Sequence, residues 1–353
     1  MAQRMYYFHI IAALITGLAG LFLFRLKEQK SEILALVGGI FLLFGLALTA
    51  LFFPVEGFAR AQLLAWVAFL YFPLLLLMGS FYLWDQNRLL AIALSMLLLV
   101  VLLVGVDSFL IEPNWLKITR LEISSPKVEE PLTLAVLADI QTDAPGEYEK
   151  EVLKIVREEN PDLILLVGDY VQVRDPEEYQ RKVEELNRIF QDAGLSSRLG
   201  IYAVRGNVDW NSWSDVFRGL EVKIFQETET IDLGPVLLTG VDCVDSSNPD
   251  LKVAGGDKFH LVMGHYPNYS LGEIDGDLLL AGHTHGGQIQ LPGIGPLLTN
   301  SLVPRSWASG LTEIEPGEYL LVSNGIGLER GYAPEMRFLC RPEVIFLRLT
   351  PAQ

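Results

Sequence analysis

The stretch AGHTHGGQ, residues 281–288, closes an apolar run that begins at Leu278. A short apolar run that ends at glycine predicts a buried strand. His283 and His285 stand one residue apart, and alternate residues of an extended chain face the same side. Two imidazoles on one side can hold a transition metal, although a pair of surface histidines has the same pattern. The stretch therefore predicts a strand that ends in a candidate metal site.

Four more apolar runs end in residue types that bind metals, with a glycine beside most of them. Ligands of α/β sheets bind beyond the carboxyl ends of strands, so these side chains are expected to meet at one rim. Glycine lets the backbone turn tightly and approach a metal or a phosphate closely. Each motif alone is also typical of an ordinary turn, but the ordered combination predicts a metal site. The residues are Asp139 and Gln141 in ADIQ (138–141), Asp169 in VGDY (167–170), Asn207 in GNVDW (206–210) and His265 in MGHYP (263–267).

The apolar runs alternate with amphipathic segments through most of the chain after residue 130. Such alternation with short connections is typical of an α/β domain. Beyond Val222 the predicted strands follow one another more closely, which indicates a second, mixed sheet packed on the first. The predicted strands are residues 132–138, 163–167, 201–204, 230–233, 236–239, 260–263, 278–281, 319–322 and 344–349, and the predicted helices are residues 147–159 and 176–193.

The first 112 residues carry a different signal. Half of the 353 residues of the chain are hydrophobic, the mean hydropathy is +0.32, and four apolar stretches lie in this region. Each stretch is close to the roughly 20 residues that cross a bilayer as a helix. A cleaved signal peptide would explain the first stretch but not the next three. The sequence predicts a four-helix transmembrane region at 1–112, a linker at 113–130 and a folded domain at 131–353, with spans at residues 6–24, 33–53, 63–84 and 89–110.

Charge also separates the two regions. Six basic and six acidic residues balance in residues 1–112, so the net charge of −16 lies on residues 113–353. The sequence has no run of lysine and arginine to neutralise phosphates, which argues against a nucleic-acid partner. The partner expected for the apolar region is a lipid bilayer.

The orientation is predicted from basic residues in the connectors, which stay on the cytoplasmic side. The first and third connectors carry four of them, Lys27 and Lys30 among them, and the opposite side carries two before the folded domain. This balance favours a multi-pass membrane protein whose folded domain lies outside the cytoplasm. Lys117 and Arg120 follow the last span and act against that orientation.

The order of the five motifs resembles that of the calcineurin-like metallophosphoesterase family. The family pattern is Asp-x-His, Gly-Asp, Gly-Asn-His-Asp/Glu, Gly-His and Gly-His-x-His, and the resemblance covers residues 131–350. The implied fold is a four-layer α/β/β/α sandwich with the site where the two sheets meet. Three segments resemble the membrane-associated branch, which includes enzymes related to UDP-2,3-diacylglucosamine pyrophosphatase: GHTHGGQIQLPGIGP (282–296), SNGIGLERG (323–331) and FLCRPEVIFLRL (338–349).

The resemblance also implies ligands for two divalent metal ions. Carboxylate, imidazole and amide oxygen ligands together suit Mn, Fe, Co or Zn better than Mg or Ca. Two such ions can activate water and hold the oxygens of a phosphoryl group. The first ion is expected on Asp139, Gln141, Asp169 and His285, and the second on the bridging Asp169, Asn207, His265 and His283.

Two positions depart from the family pattern. Gln141 replaces the histidine of the first motif, and its carbonyl oxygen can still bind a metal. Val208 replaces the histidine that follows Asn207, and valine cannot donate a proton to a leaving group. The change fits a substrate with a good leaving group, such as a diester or a pyrophosphate, or a loss of activity.

Other polar residues have two interpretations each. Asp143 and Asp209 are candidate catalytic residues that could position water or support a ligand, but roles in a loop or a helix cap explain them equally well. Arg205 is a candidate for phosphate contact, with pairing to a neighbouring carboxylate as the alternative. Arg330 and Arg337 are further candidates for phosphate contact, with ordinary surface placement as the alternative.

Together, the residues and the resemblance predict a membrane-anchored, metal-dependent phosphohydrolase that cleaves a phosphodiester or pyrophosphate bond. Four spans exceed what a tether needs, so a lipid-linked substrate is expected, with apolar residues of the Leu291–Val303 loop accepting an acyl chain. The rival hypothesis is a non-catalytic sensor or scaffold that binds metal or phosphate at the membrane. Gln141 and Val208 motivate this rival.

Overall fold

The structure is a computed structural model, and it describes residues 1–26, 32–55 and 57–352. The chain divides into two compact units. The first is Met1–Phe109 with Tyr332–Pro334, and the second is Leu110–Gly331 with Glu335–Gln353. The second unit carries every residue of the predicted metal site.

The first unit is helical, as its apolar composition predicts. Asn87 caps the last helix, since its side chain accepts the backbone N–H of Leu90 at 3.1 Å. A π-helical turn, Val67–Tyr71, joins the third and fourth helices into one apolar segment. The helices are α1 (Ala2–Leu26), α2 (Glu32–Phe52), α3 (Phe58–Trp66), α4 (Phe72–Leu83) and α5 (Arg88–Val106).

Three helical segments of the described residues are long and apolar enough to cross a membrane: Ala2–Arg25, Phe58–Leu83 and Arg88–Asn114. The remaining predicted span corresponds to a shorter apolar helix, Leu36–Phe52, so the count of four spans is not confirmed. Lys27 and Lys30, on which the predicted orientation partly rests, lie outside the described residues. The orientation stays a prediction.

The second unit contains both strands and helices. Its helices are α6 (Glu147–Glu159), α7 (Pro176–Ala193) and α8 (Cys243–Ser246). Its strands are β1 (Lys117–Ser125), β2 (Leu132–Leu137), β3 (Leu163–Val167), β4 (Ile201–Val204), β5 (Val222–Ile224), β6 (Glu229–Asp232), β7 (Val236–Gly240), β8 (Lys252–Val253), β9 (Phe259–Met263), β10 (Glu273–Ile274), β11 (Leu278–Ala281), β12 (Gln290–Leu291), β13 (Gly295–Pro296), β14 (Gly310–Glu315), β15 (Glu318–Val322) and β16 (Glu343–Pro351).

Twelve of these strands form two mixed sheets of six strands each. The first sheet has the order β1-β16-β2-β3-β4-β5, in which β2 to β5 run parallel and β16 runs antiparallel to β2. The second has the order β14-β15-β11-β9-β7-β6, with parallel strands at its centre and an antiparallel strand at each edge. The predicted mixed α/β architecture is confirmed.

The sheets pack face to face through one apolar core. Leu134 and Leu165 of the first sheet and Leu261 and Leu280 of the second belong to the same buried cluster. The apolar stripes of α6 and α7 cover the outer face of the first sheet in a second cluster. This packing holds the carboxyl ends of the strands in fixed positions.

The second sheet is covered more thinly than a four-layer sandwich predicts. The helical turn Pro267–Leu271 lies on its outer face, where Tyr269 packs in a cluster with Val262 and Leu279. The segments between β7, β9 and β11 are short and rich in Gly, Asp, Asn and Pro, which do not support long helices. Helical turns therefore take the place of the fourth layer here.

Strand β1 lies within residues 113–130, where the sequence predicts a linker. It pairs in parallel with β16 along its whole length, from Lys117 opposite Glu343 to Ser125 opposite Pro351. Most of its side chains are exposed because β1 is the edge of the sheet, so it lacks the apolar run that predicts the inner strands. These nine residues are part of the sheet, and the prediction of a linker is wrong for them.

Candidate metal centre

The predicted ligands lie directly after strands of both sheets, and the packing of the sheets brings them together. The carboxyl ends of parallel strands are where α/β folds place their ligands. Asp139 and Gln141 follow β2, Asp169 follows β3, Asn207 follows β4, His265 follows β9, and His283 and His285 follow β11.

A buried trio forms the centre of this cluster. Asp139, Asp169 and His265 each direct one possible ligand atom to the same place, and these atoms lie within 4.8 Å of one another. All three residues are at most 2% exposed. Two carboxyl groups that meet away from water require a nearby positive charge.

The pKa values of the trio reflect this requirement. Burial raises the pKa of Asp139 to about 7. Burial lowers the pKa of His265, but the charge of Asp169 and the hydrogen bond to it outweigh that effect and bring the pKa to about 9. Burial also raises the pKa of Asp169, yet the charge of His265 and its hydrogen bond prevail and leave this pKa below its ordinary value. The two carboxylates therefore favour the positively charged form of His265.

Backbone carbonyls fix which nitrogen of two histidines is free. His265 Nδ1 lies 3.0 Å from the carbonyl oxygen of Val167, and His283 Nε2 lies 3.1 Å from that of Asn300. A carbonyl can only accept, so these two nitrogens carry hydrogens. The other nitrogens, His265 Nε2 and His283 Nδ1, present lone pairs once His265 has given up the proton that its raised pKa retains, as metal binding requires.

Both lone pairs are directed at Asn207. Its Oδ1 lies 2.9 Å from His265 Nε2 and 2.7 Å from His283 Nδ1, and Asp169 Oδ2 lies 3.3 Å from His265 Nε2. Lone pairs this close repel one another unless a proton or a metal ion lies among them. Two imidazoles, a carboxylate and an amide oxygen are a donor set that fits a divalent transition-metal ion.

Gln141 and His285 form the other half of the site. Gln141 Oε1 lies 2.5 Å from His285 Nε2, and both side chains are buried. His285 Nδ1 is among the few buried polar atoms of the described residues that have no hydrogen-bond partner. Burial lowers the pKa of His285 well below its ordinary value, so the ring is neutral. A neutral imidazole with an unsatisfied nitrogen is suited to a metal ion.

Backbone conformation adds a signal that the sequence does not carry. Five predicted ligands have left-handed backbone conformations that non-glycine residues seldom adopt. Such conformations cost on the order of 1–3 kcal/mol each and cluster at functional sites, where the surrounding structure enforces them. The φ angles are 49° at Asp139, 37° at Gln141, 55° at Asp169, 68° at His283 and 49° at His285.

Two of the predicted ligands stand next to a glycine that no other residue can replace without overlap, because the backbone turns there approach each other closely. A Cβ atom on Gly206 would overlap the carboxylate and the backbone nitrogen of Asp169. Gly168 has a φ of 85°, and a Cβ atom there would lie 2.8 Å from His265 Nδ1. These contacts let the turns after β3 and β4 pack against each other.

Asp209 supports the turn that carries Asp169. Its Oδ2 accepts the backbone N–H groups of Asp169 at 2.9 Å and Gly206 at 2.8 Å, and its Oδ1 accepts that of Tyr170 at 2.9 Å. Burial and the charge of Asp169 raise the pKa of Asp209 to about 7. Of the two roles that the sequence leaves open for Asp209, the geometry favours support of a ligand.

The other candidate polar residues separate into two groups. Asp143 is half-exposed and lies 3.4 Å from Arg330, at the edge of the site. Arg205 donates two hydrogen bonds to the carbonyl oxygen of Asp209. Arg337 is fully buried and donates to the carbonyls of residues 324, 325, 327 and 340. Phosphate contact and surface placement are therefore both wrong for Arg337.

The sequence reasoning missed Gln172 and Glu329, whose side chains contact Gln141 directly. Gln141 Nε2 donates to Gln172 Oε1 at 2.9 Å and to Glu329 Oε2 at 3.1 Å. Gln172 stands three residues after Asp169, and Glu329 belongs to the SNGIGLERG segment. Their nearness to recognisable motifs is the signal that could have found them.

This unit has two open cavities, of which the first borders the site at Asn207. One, of about 810 Å³, is lined by Asn207, Val208, Trp210, Arg174 and Arg205 among others. The cavity offers room for a substrate beside the predicted ligand Asn207. Val208 also lines it, at the position where the family pattern that this sequence resembles has a histidine.

The other cavity, of about 820 Å³, borders the Leu291–Val303 loop and is lined by Leu291, Ile294 and Leu339. Ile294 and Leu302 are 60% and 63% exposed. The same loop provides the Asn300 carbonyl that contacts His283. An exposed apolar surface is thus connected directly to a predicted ligand.

Comparison with known proteins identifies relatives of this domain. Residues 132–287 match the model of the calcineurin-like phosphoesterase family. The metallophosphoesterase YkuE of Bacillus subtilis is 27% identical over 57% of this chain and 72% of its own length. The metallophosphoesterase YkoQ of the same organism is 28% identical over 61% and 82%. The phosphodiesterase YaeI of Escherichia coli is 24% identical over 67% and 90%.

Proposed function

We propose that this chain, whose residues 132–287 match the model of the calcineurin-like phosphoesterase family, is a membrane-anchored phosphohydrolase that uses two divalent metal ions. The observation that carries the proposal is the convergence of lone pairs on Asn207. His265 Nε2 and His283 Nδ1 lie 2.9 and 2.7 Å from its Oδ1, and Asp169 Oδ2 lies 3.3 Å from His265 Nε2. Two backbone carbonyls accept hydrogen bonds from the opposite nitrogens of the two rings. Such an arrangement is stable with a cation at its centre.

The ligands fall into two sets that share one carboxylate. We propose that Asp169 bridges the ions, because it lies next to both Asp139 and His265 in the buried trio. When bound, the ions would polarise the phosphoryl group and favour ionisation of the attacking water. The donor types support Mn, Fe, Co or Zn. The proposed sets are Asp139, Gln141, Asp169 and His285 for one ion and Asp169, Asn207, His265 and His283 for the other.

Val208 limits the choice of substrate. It lines the cavity beside Asn207, and its side chain cannot give a proton to a departing oxygen. We propose a phosphodiester or a pyrophosphate, because their leaving groups need less acid assistance than an alkoxide. The relation to UDP-2,3-diacylglucosamine pyrophosphatases is part of this proposal and is not confirmed.

Lipid linkage of the substrate is proposed from the apolar surface beside the site. The exposed Ile294 and Leu302 belong to the loop that contacts His283 through Asn300. Among the described residues, three helical segments are also long and apolar enough to cross a membrane. An acyl chain on the substrate would cover the loop while the phosphoryl group occupies the proposed metal site.

The experiment is hydrolysis of bis-p-nitrophenyl phosphate by the full chain in detergent, with Mn, Fe, Co or Zn added after treatment with a chelator. We expect chelation to abolish turnover, a metal to restore it, and Asp169→Ala to bind neither ion with normal affinity. A folded chain that binds metal but turns over neither this diester nor a pyrophosphate would be a sensor or scaffold, and the enzyme proposal would fail.

We also propose that the folded domain lies outside the cytoplasm, because the connectors predicted for the cytoplasmic side carry more basic residues. A protease added to intact cells should then cleave the domain. Protection of the domain until the cells are lysed would reverse the orientation.

A further inference from the structure

The amide of Gln141 is held on both sides. On one side its Oε1 lies 2.5 Å from His285 Nε2. On the other side its Nε2 donates to Gln172 Oε1 at 2.9 Å and to Glu329 Oε2 at 3.1 Å. The residue is fully buried, so water does not compete for these bonds.

Two groups determine the orientation of the amides in this network, because one of them can only donate a hydrogen bond and the other can only accept one. The backbone N–H of Arg330 can only donate, and it donates to Gln172 Oε1 at 2.6 Å, which turns Gln172 Nε2 toward Glu329 Oε1 at 2.9 Å. The carboxylate of Glu329 can only accept, and it receives one hydrogen bond from each glutamine. Gln141 must therefore present its nitrogen to Glu329 and its oxygen to the proposed metal site.

We propose that Gln172 and Glu329 are positioning residues that make Gln141 a metal ligand by fixing the direction of its amide. The inference rests on the proposed function, in which Gln141 binds one of the ions. An amide binds a metal through its oxygen and repels it through its NH₂ group, so a glutamine ligand needs such a selection. A histidine at this position would have no amide to orient.

The positioning pair is itself anchored to the motif that ends β11. The backbone N–H of Glu329 donates to Gln288 Oε1 at 2.7 Å, and Gln288 is the last residue of AGHTHGGQ. The amide of Gln141 thus contacts three separate segments of the chain, through Gln172 after β3, His285 after β11 and Glu329. This convergence explains how a non-histidine ligand is held at the first motif.

The test is Glu329→Gln in the full chain, with Mn²⁺ affinity measured by isothermal titration calorimetry. Glutamine at position 329 offers only one acceptor to the two amides, and Arg330 keeps Gln172 in place, so Gln141 loses its partner or turns its NH₂ group inward. Loss of a group that orients a ligand typically weakens metal binding by about 10- to 100-fold. We expect a loss in this range in a chain that still folds.

Two comparisons separate positioning from a general structural effect. Glu335→Gln makes the same chemical change at an exposed carboxylate 3.0 Å from Arg330 and should leave the affinity unchanged. In a Gln141→Leu background, Glu329→Gln should weaken binding by less than about threefold, because no ligand remains at position 141 to be oriented. If Glu329→Gln does not fold, Gln172→Met removes the other acceptor of Gln141 and is expected to weaken binding too.

The outcomes are distinct. A wild-type chain that binds none of Mn, Fe, Co and Zn rejects the proposed metal site itself. A folded Glu329→Gln chain that binds Mn²⁺ as tightly as the wild type rejects only the positioning pair. If Glu329→Gln weakens binding equally in the wild-type and Gln141→Leu backgrounds, the positioning pair is also rejected, because the effect would not pass through the amide.

Discussion

Val208 donates its backbone N–H to Oδ1 of Asp169 at 2.9 Å. The position therefore supports the proposed bridging ligand through its main chain, and its side chain is free to vary toward the cavity. This separation allows a change of side chain that leaves the hydrogen bond to Asp169 in place.

Val208→His should supply the missing proton donor. General acid assistance typically contributes about 10²- to 10⁴-fold when the leaving group is poor. We expect kcat/KM for phenyl phosphate to rise at least tenfold, and that for bis-p-nitrophenyl phosphate by less than about twofold. An equal rise for both substrates would contradict an effect on the leaving group.

Gly206→Ala should disrupt the site by steric overlap. The added Cβ atom would meet the carboxylate and the backbone of Asp169, neither of which can move without moving β3. Overpacking of this kind costs about 1–3 kcal/mol, and we expect thermal unfolding to show such a loss together with weaker Mn²⁺ binding. Gly256→Ala is the control, because only the flexible end of the Leu237 side chain lies within reach of its Cβ atom.

Asp209→Asn should loosen the turn after β3. One of the two carboxylate oxygens becomes an NH₂ group that faces a backbone N–H from Asp169, Gly206 or Tyr170. A buried donor left without an acceptor costs about 1–3 kcal/mol. Chemical denaturation should reveal this loss, and unchanged stability would mean that the three hydrogen bonds contribute little.

Glu318, which is not among the predicted metal ligands, should make the free energy of unfolding depend on pH. Burial, with the charges of Glu315, Asp275 and Asp277, raises the pKa of Glu318 from 4.5 to about 7. The carboxyl group of Glu318 thus binds its proton more tightly in the folded state than in the unfolded state. The stabilisation that results from this protonation is complete below pH 4.5 and is lost as the pH rises through about 7. Glu318→Gln should stabilise the domain more at pH 8 than at pH 4.5, by on the order of 1 kcal/mol because solvent screens the half-buried carboxylate. Equal effects at both pH values would contradict the raised pKa.

The apolar loop beside His283 predicts a preference for long acyl chains. Each buried methylene is worth about 0.8 kcal/mol, so a few buried carbons should raise kcat/KM more than tenfold over the water-soluble head group. Leu302→Ser should reduce this preference, whereas Val244→Ser, at another exposed apolar residue of the same unit, should not. Equal kcat/KM on both substrates would exclude a lipid-linked substrate.

Local patterns were enough to predict the strands and helices that carry the site. Residues 163–167, 201–204 and 278–281 are strands and residues 147–159 and 176–193 are helices, as predicted, because burial on both faces or on one stripe leaves a clear apolar pattern. The edge strand β1 lacks that pattern, since one side of it has no neighbour and most of its side chains face water.

The hydrogen-bond network around Gln141 could not be predicted in the same way. Gln172 and Glu329 are 157 residues apart, and only the packing of the two turns joins them. The left-handed backbone at Asp139 and Asp169 is likewise imposed by tertiary structure, since even aspartate adopts it in only a small fraction of cases. Residue types at strand ends predict which side chains meet, but not how each is oriented.

The pairing of β1 with β16 has a consequence for biosynthesis. Thr119 donates a hydrogen bond to Glu343 across this pair, and the two residues lie 224 positions apart in the sequence. Among the described strands, β1 pairs only with β16. At about 5–20 residues per second, a ribosome needs on the order of 10–45 s to make the intervening chain. During that time β1 and the exposed edge of β2 are open to chaperones or to misassociation. The first sheet can be completed only late in translation, so early termination should leave an aggregation-prone chain that lacks β16.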